Sequence, residues 1–130
     1  MYALKRFDIN INFPEDGLTV SCEVEDLGNS KFRLLEHPIF ATQVKYGDII
    51  LANFESKEKL KFQKVIEASE FEMLDFLLSK EICESEKFKE LLNTMTENDI
   101  FWQQDFGGLF CFFVKPNQVQ NTKQLILSIN

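Results

Sequence analysis

One histidine, one tryptophan, three prolines and three cysteines leave this 130-residue chain short of the groups that most enzyme sites are built from. Cys22, Cys83 and Cys111 are odd in number and far apart, and none belongs to a Cys-x-x-Cys pair. That spacing excludes a zinc ribbon and a thioredoxin-type redox pair. Long hydrophobic runs are also missing. The stretch Leu109–Val114 is among the longest, far below the roughly 20 residues of a membrane helix, so no membrane contact is expected. Excess positive charge is absent too, with 14 Lys and Arg against 21 Asp and Glu for a net charge of −7. Phosphate neutralisation supplies most nucleic-acid affinity, and an acidic chain of this kind is not expected to bind nucleic acid. The opening Met1–Asp8 lacks the apolar core of a secretory signal. Together with unpaired thiols set in apolar alternation, this points to a cytoplasmic protein.

What is present is apolar and aromatic. Fourteen phenylalanines and a hydrophobic fraction of 45% are ample for a packed interior. The length suits one α+β domain over 1–130, with sub-lobes 1–68 and 69–130 as the alternative partition.

The hydrophobic period sets the order of elements. Leu18, Val20, Cys22 and Val24 alternate with polar residues, a turn follows at 26–30, and Lys31–Leu34 alternates again. Residues 18–35 therefore predict a β-hairpin ended by Pro38. Tyr46-Gly47-Asp48 turns the chain into Ile49–Phe54, a continuous apolar run that predicts a strand buried on both faces. Leu60–Ile66 returns as its partner. The N-terminal part is thus expected to be antiparallel β-hairpins forming a curled sheet or open barrel.

Phe71–Leu78 carries two signals. Ser69-x-x-Glu72 fits a helix capping box, whereas Leu74, Phe76 and Leu78 alternate as in a strand. The aromatic content favours the strand. Ser85–Asn98 predicts an amphipathic helix, with Phe88, Leu91, Leu92 and Met95 on one face and Ser85 as N-cap. Residues 99–104 and 109–114 flank Gly107-Gly108, whose freedom at positive φ suits a tight turn, and form an aromatic-rich hairpin ended by Pro116. Residues 117–130 read as a short helix or a closing strand.

The charge is concentrated. Residues 67–105 hold eleven acids against three lysines, net −8, while 1–66 carry −1 and 106–130 carry +2. At about 100° per residue, Glu86, Glu90, Asn93 and Glu97 fall opposite the apolar face of the predicted helix. Asp99 and Trp102 follow directly. An acid-rich ridge beside an aromatic anchor is the pattern of a surface for a basic protein partner. Glu86, Glu90, Asn93, Glu97, Asp99 and Trp102 are accordingly the candidate partner-binding residues.

The alternatives are a small-ligand-binding or regulatory domain with its site in the mouth of the curled sheet, using Tyr46, Asp48 and His37, and, behind it, a carboxylate-dependent enzyme. No serine elbow, P-loop, dinucleotide fingerprint or calcium loop occurs. No residue is assigned a catalytic or metal-binding role, and no cofactor is expected.

Phe32-x-Leu34, His37-Pro38 and the Tyr46–Ile50 turn-strand resemble a small bacterial family described only as a domain of unknown function. Gly108–Pro116 is similar to a later segment of that family. The resemblance implies a β-rich N-terminal fold and brings no catalytic residue. The Phe excess and the acidic middle segment depart from the family pattern. In composition the chain resembles the acidic immunity proteins that neutralise basic toxin domains, nucleases among them. That likeness implies a non-catalytic, immunity-type inhibitor.

Overall fold

The computed structural model describes residues 5–129. The chain divides into two compact units, Met1–Ser69 and Glu70–Asn130. Both strands and helices are present, and the chain is α+β.

The first unit is a five-stranded closed barrel, β1 (Lys5–Phe13), β2 (Leu18–Gly28), β3 (Lys31–Leu34), β4 (Ile49–Ser56) and β5 (Lys59–Glu67), paired in chain order. Successive pairs are antiparallel. Strand direction alternates along such a meander, so the first and fifth strands run the same way. Closure must therefore be parallel, and β1 does pair parallel with β5 through Asn10–Asn12 and Lys59–Lys61. The hairpin expectation did not include β1. Its Phe7, Ile9, Ile11 and Phe13 alternate with polar residues, and the last three are buried.

Inward positions of all five strands meet in one core built on Ile11, Phe13, Val24, Phe32, Leu34, Ile50 and Leu60, each at most 1% exposed. Burying each such side chain contributes about 1.5–3 kcal/mol. The structure corrects the expectation that Ile49–Phe54 is buried on both faces. Ile50 and Ala52 point inward, Ile49 and Leu51 are half-buried, and Phe54 is exposed. A barrel wall has a single interior, so an apolar run along it cannot be enclosed twice.

The second unit contains β6 (Glu72–Leu77), a one-turn α1 (Lys80–Cys83), α2 (Glu86–Glu97), β7 (Phe101–Phe106), β8 (Leu109–Val114) and α3 (Val119–Leu127). Its sheet has the order β6-β8-β7, antiparallel throughout. The strand signal in Phe71–Leu78 prevails because the capping-box serine is engaged in the barrel unit. Ser69 gives its N–H to Asp48 and its hydroxyl to the Tyr46 carbonyl. The C-terminal segment is the helix α3, with Thr122 and Ile126 turned inward; Asn130 lies outside the described residues.

Ser85 caps α2, its Oγ accepting the Phe88 N–H at 3.2 Å. Phe88, Leu91 and Met95 meet Phe110, Phe112, Val114 and Ile126 in the core of this unit. Phe88 stands edge-on to Phe110 at 4.8 Å between ring centroids, a favoured aromatic geometry.

The two turn glycines have different roles. Gly107 takes φ +50°, as a tight turn requires. Gly108 is needed for close approach, because a β-carbon there would run into the Leu78 carbonyl oxygen at the end of β6.

Candidate functional site

Helix α2 brings Glu86, Glu90, Asn93 and Glu97 onto its exposed face, opposite Phe88, Leu91 and Met95. Twelve residues at 1.5 Å each spread this face over about 18 Å. The face is not purely acidic, since Lys89 Nζ lies 3.7 Å from Glu86 Oε1. Both side chains are more than half exposed, and a pair of that kind contributes at most about 1 kcal/mol, so Glu86 remains accessible to a partner cation.

Asp99 follows the helix at φ +59°, exposed, with its N–H bonded to the Thr96 carbonyl. Trp102 is half-buried. Its Nε1–H donates to Thr96 Oγ1 at 3.0 Å, and its ring lies 6.1 Å from that of Phe110. The polar handle of the indole is thus occupied, and Trp102 ties β7 to α2 while presenting only part of its ring.

Nine of the ten acids of this unit are exposed; Asp105 is the half-buried one. Asp105 accepts from Gln103 Nε2 at 2.5 Å and from the Cys111 thiol at 3.5 Å.

Of the alternative set, Asp48 and the Tyr46 carbonyl belong to a structural bracket. Asp48 is 2% exposed. Its Oδ2 accepts the Lys45 N–H at 3.0 Å, and its Oδ1 accepts the Ser69 N–H at 2.8 Å and Lys45 Nζ at 3.3 Å. The Asp48 carbonyl accepts from Leu34, and the Leu34 carbonyl accepts from Gly47, which takes φ +87°. The backbone around Asp48 therefore fastens the end of β3 to the start of β4, and its carboxylate fastens the exit from β5, leaving that carboxylate little capacity for a ligand. His37 is buried, and burial pushes the half-buried Tyr46 phenol above its usual range.

Among the described residues no group of three or more His, Cys, Asp or Glu side chains is arranged to hold a metal. No helix among them is long and apolar enough to cross a membrane.

Burial, reinforced by the neighbouring Glu36 charge, pushes the Cys22 thiol far above its normal value. Burial and the Asp105 and Asp75 charges push Cys111 up to about 12. Both stay protonated in the folded chain at neutral pH and are poor nucleophiles. The stabilising contribution of Cys111 is complete below the unfolded thiol value of 9.0 and is lost as pH rises from there toward about 12, and that of Cys22 is lost over a range that reaches higher. With iodoacetamide at pH 8, half-buried Cys83 is expected to be alkylated first, and Cys22 and Cys111 only on unfolding. Peptide mass mapping checks the order, and early labelling of Cys22 would contradict it.

Sequence reasoning did not find the buried Glu25, which binds Arg33 at 3.0 Å across the β2–β3 pair. Its place in a hydrophilic stretch of β2 gives no local sign of burial.

No family model and no curated protein matches the chain. A crystal structure of a hypothetical protein from Neisseria gonorrhoeae is similar in fold, with a TM-score of 0.57 and 14% identity over 95% of this chain and 86% of that one. At that identity the likeness speaks to fold alone.

Proposed function

We propose that this chain is a non-catalytic, acidic protein-binding module of the immunity type, which occludes a basic toxin domain through the outer face of α2. The observation that carries the reading is the display of charge. The second unit has ten acids against five lysines, nine of those acids are exposed, and Glu86, Glu90 and Glu97 share one helix face. Exposed surface carboxylates contribute little to the fold and accelerate encounter with a positive partner. The internal commitments of Asp48 take support away from the ligand-site alternative.

The test is a pull-down at low and high salt with partner identification by mass spectrometry, repeated with Glu86→Lys/Glu90→Lys. A stoichiometric basic protein, released by salt and bound about tenfold or more weakly by the double variant, is the expected result. The variant itself should stay within about 0.5 kcal/mol of the parent in stability. A partner held equally well by the double variant would remove α2 from the interface, and recovery of no basic protein at either salt would sink the inhibitor reading.

A further inference from the structure

Strand β6 is an edge strand of its three-stranded sheet. The register sets Leu77 against Leu109 and Leu78 against Gly108, and the Leu78 N–H donates to the Gly108 carbonyl at 2.8 Å. In an antiparallel ladder the bonded pairs alternate. Phe76, Leu74 and Glu72 therefore turn their backbone groups toward β8, while those of Met73, Asp75 and Leu77 point the other way. Among the described residues no strand lies on that side.

Natural edges are usually blunted by charged residues, lysine above all, by proline, by a bulge or by a covering helix or loop. Strand β6 contains no lysine or proline, and its pairing with β8 runs through six positions without a register shift. Leu77 is 79% and Met73 38% exposed. A cavity of about 290 Å³ runs beside the strand, lined by the consecutive residues Met73 to Phe76 and by Lys123 and Leu127 of α3. Four successive residues on one cavity place it along the edge, since alternate side chains of a strand face opposite ways.

Charge selects the occupant. Glu72 and Asp75 are the charged residues of the strand; Asp75 is exposed, and none of the ion pairs among the described residues includes it, although Lys123 lines the same cavity. A second copy pairing antiparallel through all three outward-pointing residues would set Met73 against Leu77 and Asp75 against Asp75, and like charges directly opposite destabilise a sheet. A strand with a cation at its centre and an apolar residue two positions to either side meets Asp75, Met73 and Leu77 in register. The geometry points to β6 as a β-augmentation site for an extended segment of the pattern apolar-x-Lys/Arg-x-apolar in a protein partner. The inference rests on the protein-binding reading above and adds a second contact, separate from α2.

The test uses the full chain and two synthetic peptides, acetyl-Thr-Val-Thr-Lys-Thr-Val-Thr-amide and its glutamate-centred counterpart, with amide hydrogen exchange read by NMR. The lysine peptide should slow exchange at Met73, Asp75 and Leu77 about tenfold at saturation, leaving Leu74 and Phe76 unchanged. The glutamate peptide should protect them far less. Asp75→Lys retains the outward N–H and should reverse the preference between the peptides. Asp75→Pro deletes that N–H without touching the ladder to β8 and should abolish protection.

Absence of protection by the lysine peptide, or equal protection by both peptides, overturns the proposal. Protection of the same amides in peptide-free chain, rising with protein concentration, would make the occupant a second copy and overturn it too. A native basic partner that responds to the α2 reversal yet leaves β6 exchange unchanged defeats this inference alone. Recovery of no basic partner by the parent chain at either salt defeats the reading beneath it.

Discussion

Asp48→Ala is expected to destabilise the protein by about 3–5 kcal/mol, the cost of leaving two backbone N–H groups and the half-buried Lys45 ammonium without their acceptor. The substitution deletes the acceptor for the Lys45 and Ser69 N–H groups and for the Lys45 ammonium. Those two amides then lose their partner at a site where the Asp48 side chain is 4% exposed. Each unsatisfied buried donor costs about 1–3 kcal/mol. Asp48→Asn is not an innocent replacement. Both carboxylate oxygens accept from N–H donors, so either orientation of an amide turns its NH2 toward one of them. The asparagine variant should fall between the parent and alanine. Thermal unfolding followed by circular dichroism checks both, and a loss of 3–5 kcal/mol corresponds to a drop of roughly 10–20 °C. An alanine variant within about 1 kcal/mol of the parent would mean that the bracket does not hold the strand ends together.

The second large effect is expected at Phe112→Ala. Phe112 lies on the central strand of its sheet, opposite Leu74 on one side and Trp102 on the other, and has no exposed surface. Its ring meets that of Phe76 edge-on at 6.1 Å. Truncation removes buried surface and leaves a cavity bounded by two strands that cannot both collapse inward, at a cost of about 3–5 kcal/mol. Leu77→Ala, on the outer strand of the same sheet with 79% of its surface already in water, should cost no more than about 0.5 kcal/mol. Chemical denaturation of the two variants side by side measures the difference. Similar losses at both positions would contradict the assignment of the core.

Much of this architecture is legible in local patterns. The helix at 86–97 is marked twice, by the Phe88, Leu91, Met95 spacing and by the Ser85 cap, and two independent signals at one place are hard to misread. Hairpin turns at 28–30 and 107–108 announce themselves through residues that tolerate positive φ. Strand β1 carries a clean alternation of Phe7, Ile9, Ile11 and Phe13, which a search of the N-terminus for targeting patterns passes over. In α3 the run Leu125-Ile126-Leu127 blurs the helical period, since Ile126 is buried while its two neighbours are exposed. In Phe71–Leu78 the aromatic content favours the strand only weakly over the capping box, because the choice depends on β8 as a partner and on the engagement of Ser69 with Asp48.

The site divides in the same way. Glu86, Glu90, Asn93 and Glu97 share a face on any helical wheel. That Trp102 spends its N–H on Thr96 depends on the approach of β7 to α2, and no spacing encodes it. The open edge of β6 follows from the sheet order, which becomes visible only once β8 lies between β6 and β7.

The parallel seam of the barrel bears on how the chain folds. The β1–β2, β2–β3 and β4–β5 hairpins each join neighbours in sequence and can form early. The seam instead joins Asn10 to Lys59, forty-nine positions along the chain, and holds through three residue pairs. Bringing ends that far apart together costs roughly 3.5 kcal/mol of chain entropy by the logarithmic closure law, against little local reward until Ile11 and Leu60 enter the core together. The barrel is therefore expected to assemble as hairpins first and to close along this seam last, so that the slowest step in folding is a contact between its two ends.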